Sequence, residues 1–242
     1  MSYSQNGSEN GVLNCLSVAD FELLKPNLEN VQLSFRKKLQ SADRTIENVY
    51  FPLSGLGSVI AISRGRHDQA EVGVVGREGM TGLAIVYGTD RSPYEIFMQV
   101  EGEGRQISSE NLRTAMKRSP TMRDCFLLYA HSFSIQCGYT ALANARGTLE
   151  QRLARWLLMA RDRLQRDHLT LTHEFLSLML GFRRAGVTAA LIAFEGKGLT
   201  HGDRGAVTIL DRDGLEETAN GLYGSAEAEY ERLFHSERHS CA

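Results

Sequence analysis

The chain has 242 residues, of which 42% are hydrophobic and 23% charged, and its formal net charge is −2. This length allows two modest domains with cores of their own, and the near-neutral total gives no sign of a uniformly basic nucleic-acid-binding chain. The charge is uneven, however, because residues 146–212 carry 11 Lys+Arg against 7 Asp+Glu, whereas residues 213–242 carry 2 against 7. A local positive patch attracts phosphates, so nucleic-acid binding is expected in residues 146–212.

The two termini and the cysteines indicate the compartment. No stretch is long and apolar enough to span a bilayer, and residues 1–15 form a polar lead, predicted to be disordered, without a signal-peptide layout. A cytoplasmic chain without a membrane partner is expected. Four scattered cysteines predict reduced thiols. In the tail, His235, His239 and Cys241 lie close together, but a mobile segment is favoured there over a metal site.

Short strands dominate the first half of the chain. A helix is predicted over residues 17–25, because Ser17 or Asp20 can cap it and Pro26 stops it. The strands predicted after it are residues 31–35, 49–51, 58–62, 70–75 and 94–100. Short strands at close, even spacing are typical of a small antiparallel barrel or sandwich, assigned here to residues 16–118.

A long helix follows Pro120, within residues 119–146. One stripe at helical spacing contains Met122, Phe126, Tyr129, Phe133, Gln136 and Tyr139 or Thr140. Small and apolar residues lie on adjacent faces as well, so the helix must bury more than one side. One side is expected to pack on the barrel and the other, with Phe133, to form a dimer seam. The alternative is a single buried core helix.

Residues 147–212 predict a winged helix-turn-helix. Thr148 can cap one helix, Thr172 caps the next, and Gly181 ends that one in a tight turn. A second helix restarts near Arg183 or Arg184, and its apolar stripe contains Val187, Ala190, Leu191 and Phe194. Residues 200–210 then alternate around a glycine turn, as a two-stranded wing does. A helix displayed in this way fits the major groove of DNA.

Residues 213–242 read as an acidic extension. A helix is predicted to about Phe234, and its apolar side chains are expected to pack back on the DNA-binding unit. These are Leu222, Tyr223, Tyr230 and Leu233.

The segment from Thr170 to Leu210 resembles the winged helix-turn-helix of the cyclic-AMP receptor protein and fumarate-nitrate regulator (Crp/Fnr) family. The resemblance puts Arg184 at the family's base-reading arginine, whereas Ala185 replaces a glutamate and Ala189 a later arginine. It therefore implies binding to double-stranded DNA but at a different target sequence. The predicted DNA-binding residues are Thr172, Arg183, Arg184, Ala185, Gly186, Thr188, Ala189 and Arg204.

The first half is similar to the family's cyclic-nucleotide-binding barrel, especially at residues 51–55 and 58–60. The family's arginine-serine pair is kept as Arg91-Ser92, but Glu78-Gly79 stands in inverted order and Pro93 lacks a backbone donor. Cyclic AMP is therefore not expected, which leaves an unidentified small-molecule effector or a vestigial barrel. The resemblance assigns effector binding to Glu78, Gly79, Met80, Arg91, Ser92, Ile135 and Gln136. Cys15 alone near the N-terminus disfavours an iron–sulfur sensor.

The expected fold is α+β, with a cyclic-nucleotide-binding-like β-barrel, a long dimerisation helix and a C-terminal winged helix-turn-helix. The expected function is transcriptional regulation by a homodimer on a palindromic operator, with RNA polymerase as a partner. An alternative is a ligand-sensing interaction module with a vestigial DNA-binding domain. An enzyme is not expected, because oxygenases with such barrels need a histidine cluster, and only His67 lies in this barrel.

Overall fold

A computed structural model describes residues 8–65 and 68–236 of the chain. The predictions that concern residues 1–7, His67, His239 and Cys241 therefore lie outside the described residues. The helices are α1 (Gly11–Cys15), α2 (Val18–Leu24), α3 (Leu83–Val86), α4 (Ser109–Arg118), α5 (Pro120–Arg146), α6 (Leu149–Leu164), α7 (His173–Leu180), α8 (Arg184–Gly196), α9 (Arg212–Ala219) and α10 (Ser225–Glu231). The strands are β1 (Glu29–Leu33), β2 (Lys38–Gln40), β3 (Asn48–Pro52), β4 (Leu56–Ile62), β5 (Gln69–Val75), β6 (Tyr94–Val100), β7 (Gly102–Ser108), β8 (His168–Leu169), β9 (Thr200–Asp203) and β10 (Ala206–Ile209).

Two antiparallel sheets form the N-terminal domain. One has the strand order β1-β7-β3 and the other β2-β6-β4-β5, so the domain is a jelly-roll-like sandwich rather than a closed barrel. The five predicted strands are present, and the pattern missed β2 and β7. β2 has only three residues, and β7 is polar and glycine-rich, so neither shows a clear hydrophobic alternation.

The end of the polar lead is ordered, which corrects the prediction of disorder up to residue 15. Asn10 caps α1 by accepting from Leu13 N, and its own amide donates to the carbonyls of Pro52 and Gly79 at 2.8 Å. Val12 and Leu13 are fully buried. A polar composition concealed this helix because two apolar side chains and one buried amide are enough to anchor it.

The long helix α5 packs one side against the sandwich. Met122, Phe126 and Tyr129 are buried in the N-terminal core. Phe133 lies on that same side, since its ring is 6.5 Å from the Tyr129 ring and a Cβ at Gly73 would come within 2.9 Å of it. The assignment of Phe133 to a dimer seam is therefore wrong. An amphipathic pattern on several faces could not show which face meets the sandwich.

The C-terminal domain has a continuous apolar core. Leu153 and Leu157 of α6 pack with Val187 and Phe194 of α8 and with Leu199, which plugs the core after the second helix. Thr148 and Gln151 form a capping box at the start of α6. β9 and β10 pair as the predicted wing, and β8 extends that small sheet.

The C-terminal extension is broken into α9, α10 and a π-helical turn over Arg232–Ser236, rather than one helix. The Tyr223 hydroxyl donates to Asp162 of α6, as expected for packing on the DNA-binding unit. Tyr230 and Leu233, in contrast, pack into the N-terminal core, which corrects the prediction for these two residues. Gly221 and Gly224, both at positive φ, interrupt the helix and redirect it.

The two domains meet around Glu71 of β5. Trp156 Nε1 of α6 donates to its Oε1 at 2.6 Å, Gln99 of β6 donates to Oε2 at 3.0 Å, and the Ser58 hydroxyl also donates to Oε2. Burial raises the pKa of Glu71 to about 7, although the hydrogen bonds from Ser58 and Trp156 and the nearby Arg155 and Arg163 oppose the rise. The border between the domains thus holds a buried, fully bonded carboxyl.

Across residues 8–65 and 68–236, no single helix is long and apolar enough to cross a membrane. The pair α7 and α8 reaches that length and composition only when the two are taken together, and the chain bends by 110° between them. Their apolar side chains, such as Val187 and Phe194, fill the core of the C-terminal domain.

Candidate DNA-binding surface and effector cavity

The turn between α7 and α8 has the geometry of a helix-turn-helix. Thr172 caps α7 by accepting from Phe175 N at 3.2 Å. Gly181 ends α7 at φ 67°, a left-handed conformation that glycine adopts without steric cost. The bend of 110° lies within the range typical of the motif. The predicted cap, turn and restart are all present.

Arg152 of α6 contacts residues on both sides of the turn between α7 and α8 and stabilises it. Its guanidinium carbon lies 4.6 Å from the centroid of the Phe182 ring, and its NH2 group donates to the Leu180 carbonyl. This contact satisfies a carbonyl at the end of α7 that the helix itself leaves unpaired. The sequence analysis missed Arg152, since it lies 28 residues from its acceptor.

The outer face of α8 carries most of the predicted DNA-binding residues. Arg183, Arg184, Ala185 and Ala189 are exposed, whereas the opposite stripe with Val187 is buried. Arg183 precedes the first turn of α8, which is the part of a recognition helix that reaches base edges. The structure therefore brings two arginines and two small residues onto one accessible surface.

The remaining predicted residues play different parts. The Thr188 hydroxyl lies 3.0 Å from His173 Nδ1, so it is already engaged by α7. At Gly186, a Cβ would lie 3.2 Å from Leu149 of α6, so the position favours close helix packing. Arg204 is exposed in the turn of the wing, and Thr172 is exposed at the start of α7.

A cavity of about 390 Å³ lies in the N-terminal domain between the sheet, α3 and α5. Met80, Arg91 and Ser92 line it, together with Phe133 and Cys137 of α5. Met80 is buried, whereas the Arg91 side chain is 64% exposed and lies 3.8 Å from Asp90. These three residues of the predicted effector set share one site.

The other predicted effector residues do not reach that cavity. Glu78 Oε1 accepts from Arg163 Nε of α6 at 2.9 Å, and their side chains are 19% and 9% exposed. Burial opposes the charge of Arg163, but Glu78 and other nearby carboxylates hold its pKa above the ordinary arginine value. Gly79 faces the Tyr129 hydroxyl, which a Cβ at this position would overlap. Glu78 is therefore drawn toward the DNA-binding domain.

The two predicted residues on α5 also have other roles. Gln136 is buried and bonds both backbone groups of Val74, accepting from its N–H at 2.7 Å and donating to its carbonyl at 3.2 Å. Ile135 is half-buried and lies outside the cavity lining. The predicted set of seven residues is thus divided, because Glu78 pairs with Arg163 and Gln136 bonds Val74. Neither pairing could be predicted from the sequence.

Residues 151–218 match the family model of the Crp-like helix-turn-helix domain. The sequence has no significant match among curated proteins. Similar solved structures include FixK2 from Bradyrhizobium japonicum, with a TM-score of 0.69, 14% identity and coverage of 82% of this chain and 98% of that one. A CRP-family transcriptional regulator from Thermus thermophilus has a TM-score of 0.67 at 17% identity, covering 81% and 99% of the two chains. The c-di-GMP responsive global regulator CLP from Xanthomonas campestris has a TM-score of 0.65 at 16% identity, covering 81% and 100%.

The chain thus consists of a jelly-roll-like domain joined by a long helix to a winged helix-turn-helix domain of the Crp-like type. Residues 151–218 thus match a Crp-like helix-turn-helix domain, and the chain as a whole shares its fold with these solved structures.

Proposed function

We propose that the protein is a homodimer that binds a palindromic operator, regulates transcription with RNA polymerase as partner, and acts in the cytoplasm without a catalytic role. The observation that carries this proposal is the accessible face of α8, where Arg183 and Arg184 stand beside small residues. Residues 16–118 supply the effector domain, 119–146 the dimerisation helix and 147–212 the DNA-binding unit.

The free side of α5 supports the dimer. Leu128 and Leu142 are 39% and 45% exposed, and Ile135 lies midway between them at a spacing of seven residues. Exposed His131, Gly138 and Ala145 follow these three positions at a spacing of three residues. A repeat of seven with apolar residues at one position, and with two small residues, Gly138 and Ala145, at the other, suits a two-stranded seam. We therefore assign the seam to the stripe of Leu128, Ile135 and Leu142, which replaces Phe133.

A two-fold axis along that seam would place two copies of α8 on successive major grooves. The operator half-sites should then lie roughly 34 Å apart, one turn of DNA. Ala185 and Ala189 can contact thymine methyl groups but cannot hydrogen-bond through their side chains, so the preferred half-site should differ from the usual family target.

The cavity argues against cyclic AMP as effector. In the family resemblance a glutamate accepts from the ribose hydroxyl, but here Glu78 is held by Arg163. Pro93 also offers no backbone donor. Calorimetric titration with cyclic AMP at micromolar concentration is therefore expected to give no saturating heat, and clear saturation would contradict this part of the proposal.

Light scattering tests the dimer. The wild type should have twice the 26.9 kDa chain mass at micromolar concentration. Leu142→Asp should give the monomer mass, because it places a charge in the apolar seam. Val18→Asp is the matched control, since Val18 is also exposed but lies on α2. A monomeric wild type, or a dimeric Leu142→Asp variant, would reject the seam.

Fluorescence anisotropy with labelled duplexes tests DNA binding. A random duplex at low salt should bind through phosphate contacts, and selection from a random pool should then yield a two-fold symmetric sequence. Absence of binding even at low salt would instead favour an interaction module that has lost its DNA-binding activity.

A further inference from the structure

The cavity in the N-terminal domain is mostly apolar and holds little charge. Within the described part of the chain, its lining contains one charged side chain, Arg91, and no aspartate or glutamate. Most of its wall is apolar, including Val59, Met80 and Phe133. Its volume of about 390 Å³ lies in the range that small-molecule sites occupy.

Three polar side chains of the wall are already bonded within the protein. Gln40 donates to the Tyr94 carbonyl at 2.9 Å, and the Thr81 hydroxyl accepts from Tyr50 N at 2.9 Å. The Ser134 hydroxyl donates to the His131 carbonyl at 2.6 Å. A ligand with many hydroxyl groups or a hydrogen-bonding base would therefore lose its bonds to water without an equal return.

Cys137 contributes to the apolar character of the wall. Burial raises the pKa of its thiol to about 11, so the group is neutral at pH 7. A neutral thiol behaves as a small hydrophobic group. The wall around Cys137 thus suits hydrocarbon.

Arg91 stands at the mouth as the single cation. Its backbone is held by a bridge to Thr45, and its nearest carboxylate, that of Asp90, is 3.8 Å away. A guanidinium so weakly paired can form a planar, charge-assisted fork with a carboxylate. One cation and no anion match a ligand with a single negative charge.

From this arrangement we infer that the effector cavity takes a small amphiphilic monocarboxylate, with its hydrocarbon body inside and its carboxylate on Arg91. This inference rests on the proposed role of the N-terminal domain as an effector domain. It assigns a ligand class that differs from a cyclic nucleotide in charge distribution and in polarity.

Calorimetric titration of the full chain with straight-chain carboxylates, from hexanoate to decanoate below their micelle concentrations, tests the inference. Binding should tighten about four-fold for each added methylene until the cavity is filled, because each buried methylene contributes a nearly constant transfer free energy. The alcohol of equal length should bind about ten-fold more weakly than the carboxylate, because it lacks the charge-assisted pair.

Two variants separate the charge from the cavity. Arg91→Ala should remove the advantage of carboxylate over alcohol and leave alcohol binding unchanged, whereas Arg118→Ala, an exposed arginine of α4, should change neither. Cys137→Phe should fill the cavity and abolish binding of both ligands, with circular dichroism as the check on folding.

The inference is overturned if none of the carboxylates binds saturably, if alcohols bind as well as carboxylates, or if affinity is independent of chain length. DNA binding is measured separately by anisotropy. Carboxylate binding without DNA binding would reject the proposed regulator and keep the ligand class. DNA binding by a dimer that binds none of the carboxylates would reject the ligand class and keep the regulator.

Discussion

The DNA-binding unit and the effector cavity follow the family pattern to different degrees. In the DNA-binding unit, the cap at Thr172, the turn at Gly181 and the exposed Arg184 stand where the family resemblance puts them. In the N-terminal domain the sandwich is kept, but Glu78 binds Arg163 instead of facing the cavity. Apolar periodicity therefore preserves a scaffold, whereas the chemistry of a site depends on a few polar side chains and on their partners.

The comparison predicts that Glu78 has a structural role. Glu78→Ala should lower the free energy of unfolding by about 3–5 kcal/mol, because it leaves the Arg163 guanidinium buried without its partner. Urea denaturation measures this loss. Glu22→Ala is the control, since it removes an exposed pair with Lys25 and should cost less than about 1 kcal/mol. An equally small loss for Glu78→Ala would mean that the glutamate is free to serve a ligand.

Glu71, at the border between the two regions, predicts a pH dependence. Its pKa is raised from 4.5 to about 7 in the folded protein, so the folded state binds the additional proton. The contribution of Glu71 to the free energy of unfolding should therefore be greatest below pH 4.5. It should fall by roughly 1.4 kcal/mol per pH unit up to pH 7, about 3 kcal/mol in all.

Glu71→Gln isolates that contribution. The variant keeps a side chain that can bond Trp156 through its carbonyl oxygen but cannot ionise, so its stability should be flatter than that of the wild type between pH 5 and 7. Thermal unfolding across this range makes the comparison. Parallel curves for the two proteins would show that the pKa of Glu71 is the same in the folded and unfolded states.

The two arginines at the start of α8 should affect DNA binding differently, one through sequence preference and the other through overall affinity. Arg184→Ala should cost about 1–3 kcal/mol on the selected operator and relax preference at one base pair, as loss of a bidentate guanine contact does. Arg183→Ala should weaken all sequences alike and lower the salt slope by about one. Anisotropy with each half-site base varied distinguishes them, and unchanged specificity in Arg184→Ala would put α8 elsewhere than in the groove.

Tyr223 should give the smallest effect. Its hydroxyl donates to Asp162 and accepts from Arg212 at 2.9 Å, so Tyr223→Phe removes one bonded group at the edge of the DNA-binding unit. A loss of about 1 kcal/mol in unfolding free energy is expected, measured by urea denaturation. Tyr94→Phe is a suitable control on an exposed tyrosine.

The sequence predicted elements whose signals are local. The caps at Ser17, Thr148 and Thr172, and the glycine turn at Gly181, act within a few residues, so spacing alone revealed them. The helix α1 and the Glu78–Arg163 pair depend on partners far along the chain, and 85 residues separate the members of that pair. Local patterns carry no information about such partners.

The dimer seam was wrongly assigned to Phe133 because the sequence offers several apolar stripes on α5. Counting apolar residues on α5 gave several stripes without ranking them, whereas the spacing of Leu128, Ile135 and Leu142 by seven was present in the sequence and marks a different face. The structure separates them, because Phe133 packs against β5 and both leucines are exposed.

Trp156 is the only tryptophan in the chain, and its indole N–H donates to the buried Glu71 at the domain border. Its ring also packs edge-on against Phe175 of α7 at 6.1 Å between centroids. Any separation of α6 from β5 breaks the indole bond and admits water, which shifts tryptophan emission to longer wavelength. The protein thus carries its own optical reporter of contact between the N-terminal and C-terminal domains, readable in solution without a label.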